Sequence, residues 1–205
     1  MKVNRLQKTT KPNRKMKPSF VIIGLGNPGA EYAKTRHNAG FTAVNLLAEQ
    51  CGTGKWLLKQ KFLCDQCEAR IIATPTMLIK PTTFMNRSGE CARKVIDYYD
   101  LDPSQSLLII CDDIDLEPGT LRIRHSGSAG THNGLQSIVD EFGEEFPRIR
   151  IGVGKQKPGS NLSNYVLSAP SDEERKKINE AIAKVPELVR ALVLDEQSVD
   201  SSNSE

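Results

Sequence analysis

The chain has no apolar run approaching the ~18 consecutive residues that a membrane-crossing helix requires, so no such span is expected. The N-terminus lacks the apolar stretch of a secretory signal, so no export is expected. Cysteines are few, and their number is odd: Cys51, Cys64, Cys67, Cys91 and Cys111 are scattered, which argues against a disulfide framework. Reduced thiols in a cytoplasmic protein are the expectation. No G-x-S-x-G occurs, so a serine on a nucleophile elbow is excluded. No internal repeat is visible. Apolar residues make up 38% of the chain, which is low, yet 205 residues suffice for one domain with a core.

Net charge is also nearly absent where it would count. The formal +3 is made at the ends. Residues 1–17 carry seven Lys/Arg and no acid, whereas residues 171–205 carry nine acids against five bases. The middle of the chain is neutral, so any anion-binding face must be assembled by folding. A local excess exists at Arg122, Arg124, Arg148, Arg150, Lys155 and Lys157, in two segments with strand character. These residues read either as a solvated strand face or as a phosphate-binding one.

What is present is an alternation of strands and helices. Residues 20–25 read as a buried strand and 38–51 as a helix stopped by Gly52. Two or three strands fill 61–80, with "ARIIAT" and "TMLIK" the clearest, and 83–99 reads as a helix despite Gly89. "LLIICD" looks like a central strand that delivers Asp112 to its C-terminal edge. Strands are expected at 120–124 and 148–154, with a glycine-rich loop at 125–134 and then a helix to about 142. Ile178, Ile182, Val185, Val189 and Leu192 form one helical stripe, which Pro186 must kink or restart. The pattern predicts an α/β fold: a single three-layer globule with a mixed, mainly parallel twisted sheet flanked by helices. Residues 1–17 are expected to be a basic disordered extension, 18–194 the domain, and 195–205 a disordered tail. Met16 is an alternative start.

"VIIGLGNPG" carries Gly24, Gly26 and Gly29 at the G-x-G-x-x-G spacing of a dinucleotide fingerprint. The context argues against that reading. The fingerprint needs a helix opening at once, with free N–H groups facing a pyrophosphate. Pro28 removes one donor and disfavours helix at Asn27. The acid expected about 20 positions on, at the end of a second strand, is missing, because Glu49 lies in a helical pattern.

Three histidines are available: His37, His125 and His132. His37 lies near the edge of the first strand and Asp112 ends a neighbouring one, so both would converge on one crevice. An Asp-held His is a general base with a fixed tautomer, and a surface histidine is the alternative. Cys111 ends an apolar strand, where burial and inertness are expected. Cys64 and Cys67 form a lone C-x-x-C without a second pair or nearby histidine, which favours two strand thiols over zinc. No metal and no cofactor are expected. Asn27, Asn86 and Asn133 sit at element–loop junctions, where each is either a turn former or an uncharged donor for a carbonyl.

Taken in order, "GLGNPGAEYAKTRHNAGF", "KPTTFMNRSGE", "DDIDLEPGTLRIR", "GSAGTHNGLQSI" and "FPRIRIGVG" closely resemble bacterial-type peptidyl-tRNA hydrolase from about residue 20 to 170. The resemblance implies a metal-free α/β hydrolase that cleaves the ester between a peptide and the 3′-terminal ribose of tRNA, so recycling tRNA. It implies that His37 is catalytic and oriented by Asp112. Asn27, Tyr32, Phe84, Asn86 and Asn133 would bind the substrate. Arg122, Arg124, His132, Arg148 and Arg150 would face the tRNA acceptor stem. A monomer is implied. Thr131 stands where the family usually has glycine, and the stretch after Leu194 departs from the family's final helical segment. The chemistry agrees: a histidine, with an ordinary pKa of ~6.5, can accept a proton from water near pH 7. Arginines on phosphates add affinity without reading sequence. An RNA-binding module without hydrolysis and a nucleotide-dependent oxidoreductase are the competing readings. A pure binder has no need of an Asp–His pair, and the glycine context argues against the second.

Overall fold

The run LLIICD forms strand β5, Leu107–Asp113, buried at every residue. A strand covered on both faces needs no polar alternation, which is why its sequence is continuously apolar. The structure, a computed structural model, describes residues 16–156 and 158–202. β5 pairs in parallel with β1, Phe20–Gly24, on one side and with β7, Arg148–Gly152, on the other. β4, Thr74–Pro81, lies parallel to β1 on its far side. Antiparallel strands finish both edges. β3, Cys64–Ile71, and then β2, Leu57–Lys59, follow β4, while β6, Leu121–Arg124, follows β7. The order is β2-β3-β4-β1-β5-β7-β6, a seven-stranded mixed sheet in which only β3 and β6 run against the rest.

Side-chain parity divides the core in two. Ile22, Leu108, Ile110, Ile149 and Ile151 point to one face of the sheet. There they meet helix α1, Ala39–Cys51, and the later helices α6, Asp172–Ile182, and α7, Val185–Ser202. Val21, Ile23, Leu107 and Ile109 point to the other face, against α2, Ser88–Tyr99, and α4, Asn133–Phe142. Short helices α3, Pro103–Ser106, and α5, Leu162–Val166, complete the set. The predicted stripe Ile178, Ile182, Val185, Val189 and Leu192 is buried throughout. It is carried by two helices, and Pro186 sits in the first turn of the second, where its missing N–H is no loss. Among the described residues no helix is long and apolar enough to cross a membrane.

Several boundaries differ from expectation. "ARIIAT" is not one strand: Ile72, at φ +55°, and Ala73 make the turn between β3 and β4. The β-branched side chain suggests a strand, but pairing with β4 demands a reversal there. α7 runs on to Ser202, past the Leu194 boundary. Most of the basic extension, residues 1–15, lies outside the described residues.

The three glycines of the opening motif have separate uses. A Cβ on Gly24 would stand 2.4 Å from the carbonyl oxygen of Gly40 in α1, so the helix crosses β1 backbone to backbone. A Cβ on Gly26 would lie 2.6 Å from the Phe41 ring. Gly29, at φ +117°, reverses the chain. Instead of a long helix, a 3-10 turn follows, Ala30–Tyr32, and then a second, Arg36–Asn38, which leads into α1.

Candidate active site

The C-terminal ends of β1, β4, β5 and β7 all point to the same side of the sheet, and the loops leaving them enclose a cleft of about 480 Å³. His37 comes from the 3-10 turn before α1, and Asp112 from the next-to-last residue of β5. Both line the cleft, and His37 Nδ1 lies 2.8 Å from Asp112 Oδ1. The carboxylate accepts, so Nδ1 carries the hydrogen and Nε2 keeps its lone pair. Asp112 is 2% exposed. Burial opposes its ionisation, but His132 and His37 outweigh that cost and hold it well below the usual carboxylate range.

His132, expected at the RNA, lines the cleft and turns its ring to the same carboxylate oxygen, with Nε2 3.0 Å from Asp112 Oδ1. Its tautomer can be read from its other nitrogen. Nδ1 accepts the backbone N–H of Leu135 at 3.1 Å, which also caps α4, so Nε2 must be the N–H that donates to Asp112. His37, Asp112 and His132 thus present atoms within 4.8 Å of one another, the kind of cluster that can hold a metal. The donor set does not fit one: with Nδ1 committed to Leu135, His132 Nε2 has no lone pair to offer an ion.

Asn27 is buried and its amide is oriented by the protein. Its Oδ1 accepts the N–H of Met85, 2.9 Å away, which leaves the Nδ2 donors for the cleft. Asn38 locks the same loop, accepting from the Asn27 N–H and donating to the Asn27 carbonyl, each at 2.9 Å. Phe84, Asn86 and Asn133 line the cleft, with Phe84 58% exposed. Tyr32 does not line it: the reversal at Gly29 carries that turn away, and the Tyr32 carbonyl instead accepts from the Thr35 hydroxyl.

Arg148 overturns expectation most clearly. It lies on β7 beside Arg124 of β6, but it is wholly buried. Its guanidinium donates to the carbonyls of Gly127, Glu144 and Phe146 and stacks on the Phe146 ring. Loops from both sides of α4 fold over it, so it cannot reach a phosphate. Arg150 lines the cleft, paired with Asp113 at 3.2 Å and with the Ser128 carbonyl at 2.8 Å. Arg122 and Arg124 are exposed on edge strand β6. Cys111 is inert as expected, its thiol pushed up to about 12 by burial. Cys64 and Cys67, three apart on β3, face opposite sides of the sheet, which rules out a shared metal.

Sequence reasoning missed Asn38 and Arg36. Arg36 ties the His37 turn to the helices beyond the cleft. It reaches Ser168 Oγ at 2.7 Å, the Ala169 carbonyl at 3.0 Å and Glu174 at 2.9 Å, and stacks on Tyr165. Glu174 also closes the capping box of α6 with Ser171. A second asparagine directly after the histidine was the available signal for Asn38. Arg36 gave none, because its partners lie 129–138 residues away.

The sequence model of the peptidyl-tRNA hydrolase family matches residues 21–204. A peptidyl-tRNA hydrolase of Alkaliphilus metalliredigens is 46% identical over 177 residues, 86% of this chain and 94% of that protein. One from Clostridium tetani is 43% identical over 175 residues, 85% of this chain and 90% of that protein. The crystal structure of peptidyl-tRNA hydrolase from Acinetobacter baumannii matches with a TM-score of 0.80 at 35% identity, over 89% of this chain and 92% of that one.

Proposed function

This chain belongs to the peptidyl-tRNA hydrolase family, and from that premise we propose how its cleft hydrolyses the ester joining a peptide to tRNA. The observation that carries the reading is the 2.8 Å contact between His37 Nδ1 and Asp112 Oδ1. His37 Nε2 takes a proton from a water molecule as the water oxygen bonds to the ester carbonyl carbon. Asp112 supports the imidazolium that forms. Asn27 Nδ2 donates to the carbonyl oxygen as negative charge builds on it. The bond to the ribose 3′ oxygen then breaks, and His37 returns the proton to that oxygen. Phe84, Asn86 and Asn133 hold the peptide and the RNA end. The groups needed all come from one chain, which supports a monomeric enzyme.

The test is hydrolysis of N-acetyl-aminoacyl-tRNA beside free aminoacyl-tRNA. Cleavage of the first and sparing of the second is expected. His37→Ala is expected to lower kcat by roughly 10²–10⁴-fold. Unchanged turnover in that variant would remove His37 from the mechanism.

Arg122 and Arg124 are the phosphate contacts for the acceptor stem, because they are exposed on the β6 edge beside the cleft loops. Replacing either with glutamine is expected to reduce the salt dependence of tRNA binding by roughly one phosphate contact. Arg148→Met should behave differently. It leaves the Gly127 and Phe146 carbonyls without the donor they have in the native protein, which costs about 1–3 kcal/mol for each one. Thermal unfolding should register that change, while the salt slope should stay as in the unmodified protein. A lowered slope for Arg148→Met would show that its burial is not maintained in solution.

A further inference from the structure

We infer that His132 is a positioning residue for the reaction, acting through Asp112 on His37 and not by contact with RNA. The inference rests on the assignment of His37 as the base. Two N–H groups converge on one oxygen, at 2.8 Å from His37 and 3.0 Å from His132, with ring centroids 4.8 Å apart. All three side chains are about nine-tenths buried or more. His132 is held in turn by the Leu135 N–H, at the start of a helix that packs on the core through Leu135 and Ile138. Asp112 is therefore clamped between a rigid helix start and the catalytic ring, and its carboxylate cannot rotate without breaking one contact.

The arrangement also sets how strongly the carboxylate acts on His37. An oxygen that accepts two N–H groups divides its negative charge between them. With the His132 donor gone, the carboxylate acts on His37 alone and holds its proton more firmly. The other charged groups lining the cleft are Asp113, Asp115 and Arg150. Asp113 and Arg150 offset each other at 3.2 Å, and none of the three changes in the variants below.

His132 has two duties, helix cap and donor to Asp112, and two substitutions separate them. His132→Asn keeps an oxygen for the Leu135 N–H but is too short to reach Asp112. Its thermal stability should stay near that of the unmodified protein. Its kcat on N-acetyl-aminoacyl-tRNA should fall roughly tenfold or more. The acid limb of its kcat profile should move up. KM for the tRNA should hold within about twofold, as expected where only the chemical step is affected. His132→Gln can place an amide N–H where Nε2 stood, so it should restore much of kcat and return the acid limb towards its original position. A raised KM with kcat and its pH profile unchanged in His132→Asn would overturn the inference and assign His132 to RNA contact. So would failure of His132→Gln to recover kcat in a folded protein. His37→Ala is assayed in parallel: if that variant keeps full turnover, the base assignment itself has failed, a result distinct from either of these.

Discussion

Asp112→Asn is expected to lower kcat by roughly three to four orders of magnitude while leaving KM close to its original value. Asp112 is almost wholly buried and meets two imidazoles, so its removal does not touch the groups proposed to hold the substrate. An asparagine there has two orientations, and neither serves. If its oxygen faces the rings, a neutral acceptor replaces the anion and the imidazolium loses its support. If its amide N–H faces them, His37 Nδ1 must become an acceptor, which moves the hydrogen to Nε2 and leaves no lone pair for water. His132 cannot relieve the clash by changing tautomer, because its Nδ1 already accepts from Leu135.

The same substitution has a stability signature with a definite sign. The Asp112 carboxyl is held below its unfolded value despite burial, by His132 and His37. A depressed carboxylate stabilises the fold above the unfolded pKa of ~3.9, and that contribution is lost as pH falls through and below this value. The stability difference between the unmodified protein and Asp112→Asn should therefore narrow below about pH 4. Thermal unfolding across a pH series measures it. A kcat within tenfold of the unmodified enzyme would remove the carboxylate from the mechanism.

Gly40→Ala is expected to destabilise the fold by about 3 kcal/mol or more. For a chain of this size that corresponds to a fall in Tm of roughly 10 °C. The added Cβ would stand 2.3 Å from the Ile110 carbonyl oxygen and 2.6 Å from the nitrogen and oxygen of Leu25. All of these are backbone atoms of β5 or of the residue that directly follows β1, so none can turn aside. The helix must lift instead. His37 lies one turn before Gly40 while Asp112 stays with β5, so the two should separate and activity should fall as well. Gly134→Ala is the contrast, since its nearest obstacle is the flexible Met85 side chain. A Gly40→Ala protein unfolding within a degree of the original would show that α1 has room the close contact denies.

How much of this could be read from residues alone depends on the range of the forces involved. The LLIICD strand and the Ile178–Leu192 stripe are local periodicities, and both are found where expected. The His37–Asp112 pair was legible because parallel strands bring loop residues to one edge whatever the details of packing. The fate of Arg148 was not. On paper it shares a strand face with Arg150, two residues on, and only the loops over it decide that one is sealed and the other reaches the cleft. The second role of His132 was hidden for a related reason. Its position in a glycine-rich loop says nothing of where the ring points until α4 docks and Leu135 takes one nitrogen.

The Phe41 ring occupies the ground directly above Gly26, where in a nucleotide-binding fold a pyrophosphate would rest. A cofactor arriving there would have to evict a benzyl group packed against bare main chain. Spaced glycines are therefore a statement about something coming close, and the visitor can be part of the protein itself. A search that collects chains by this spacing alone will gather tenants of both kinds. A proline inside the motif and an aromatic residue early in the next helix would help sort them.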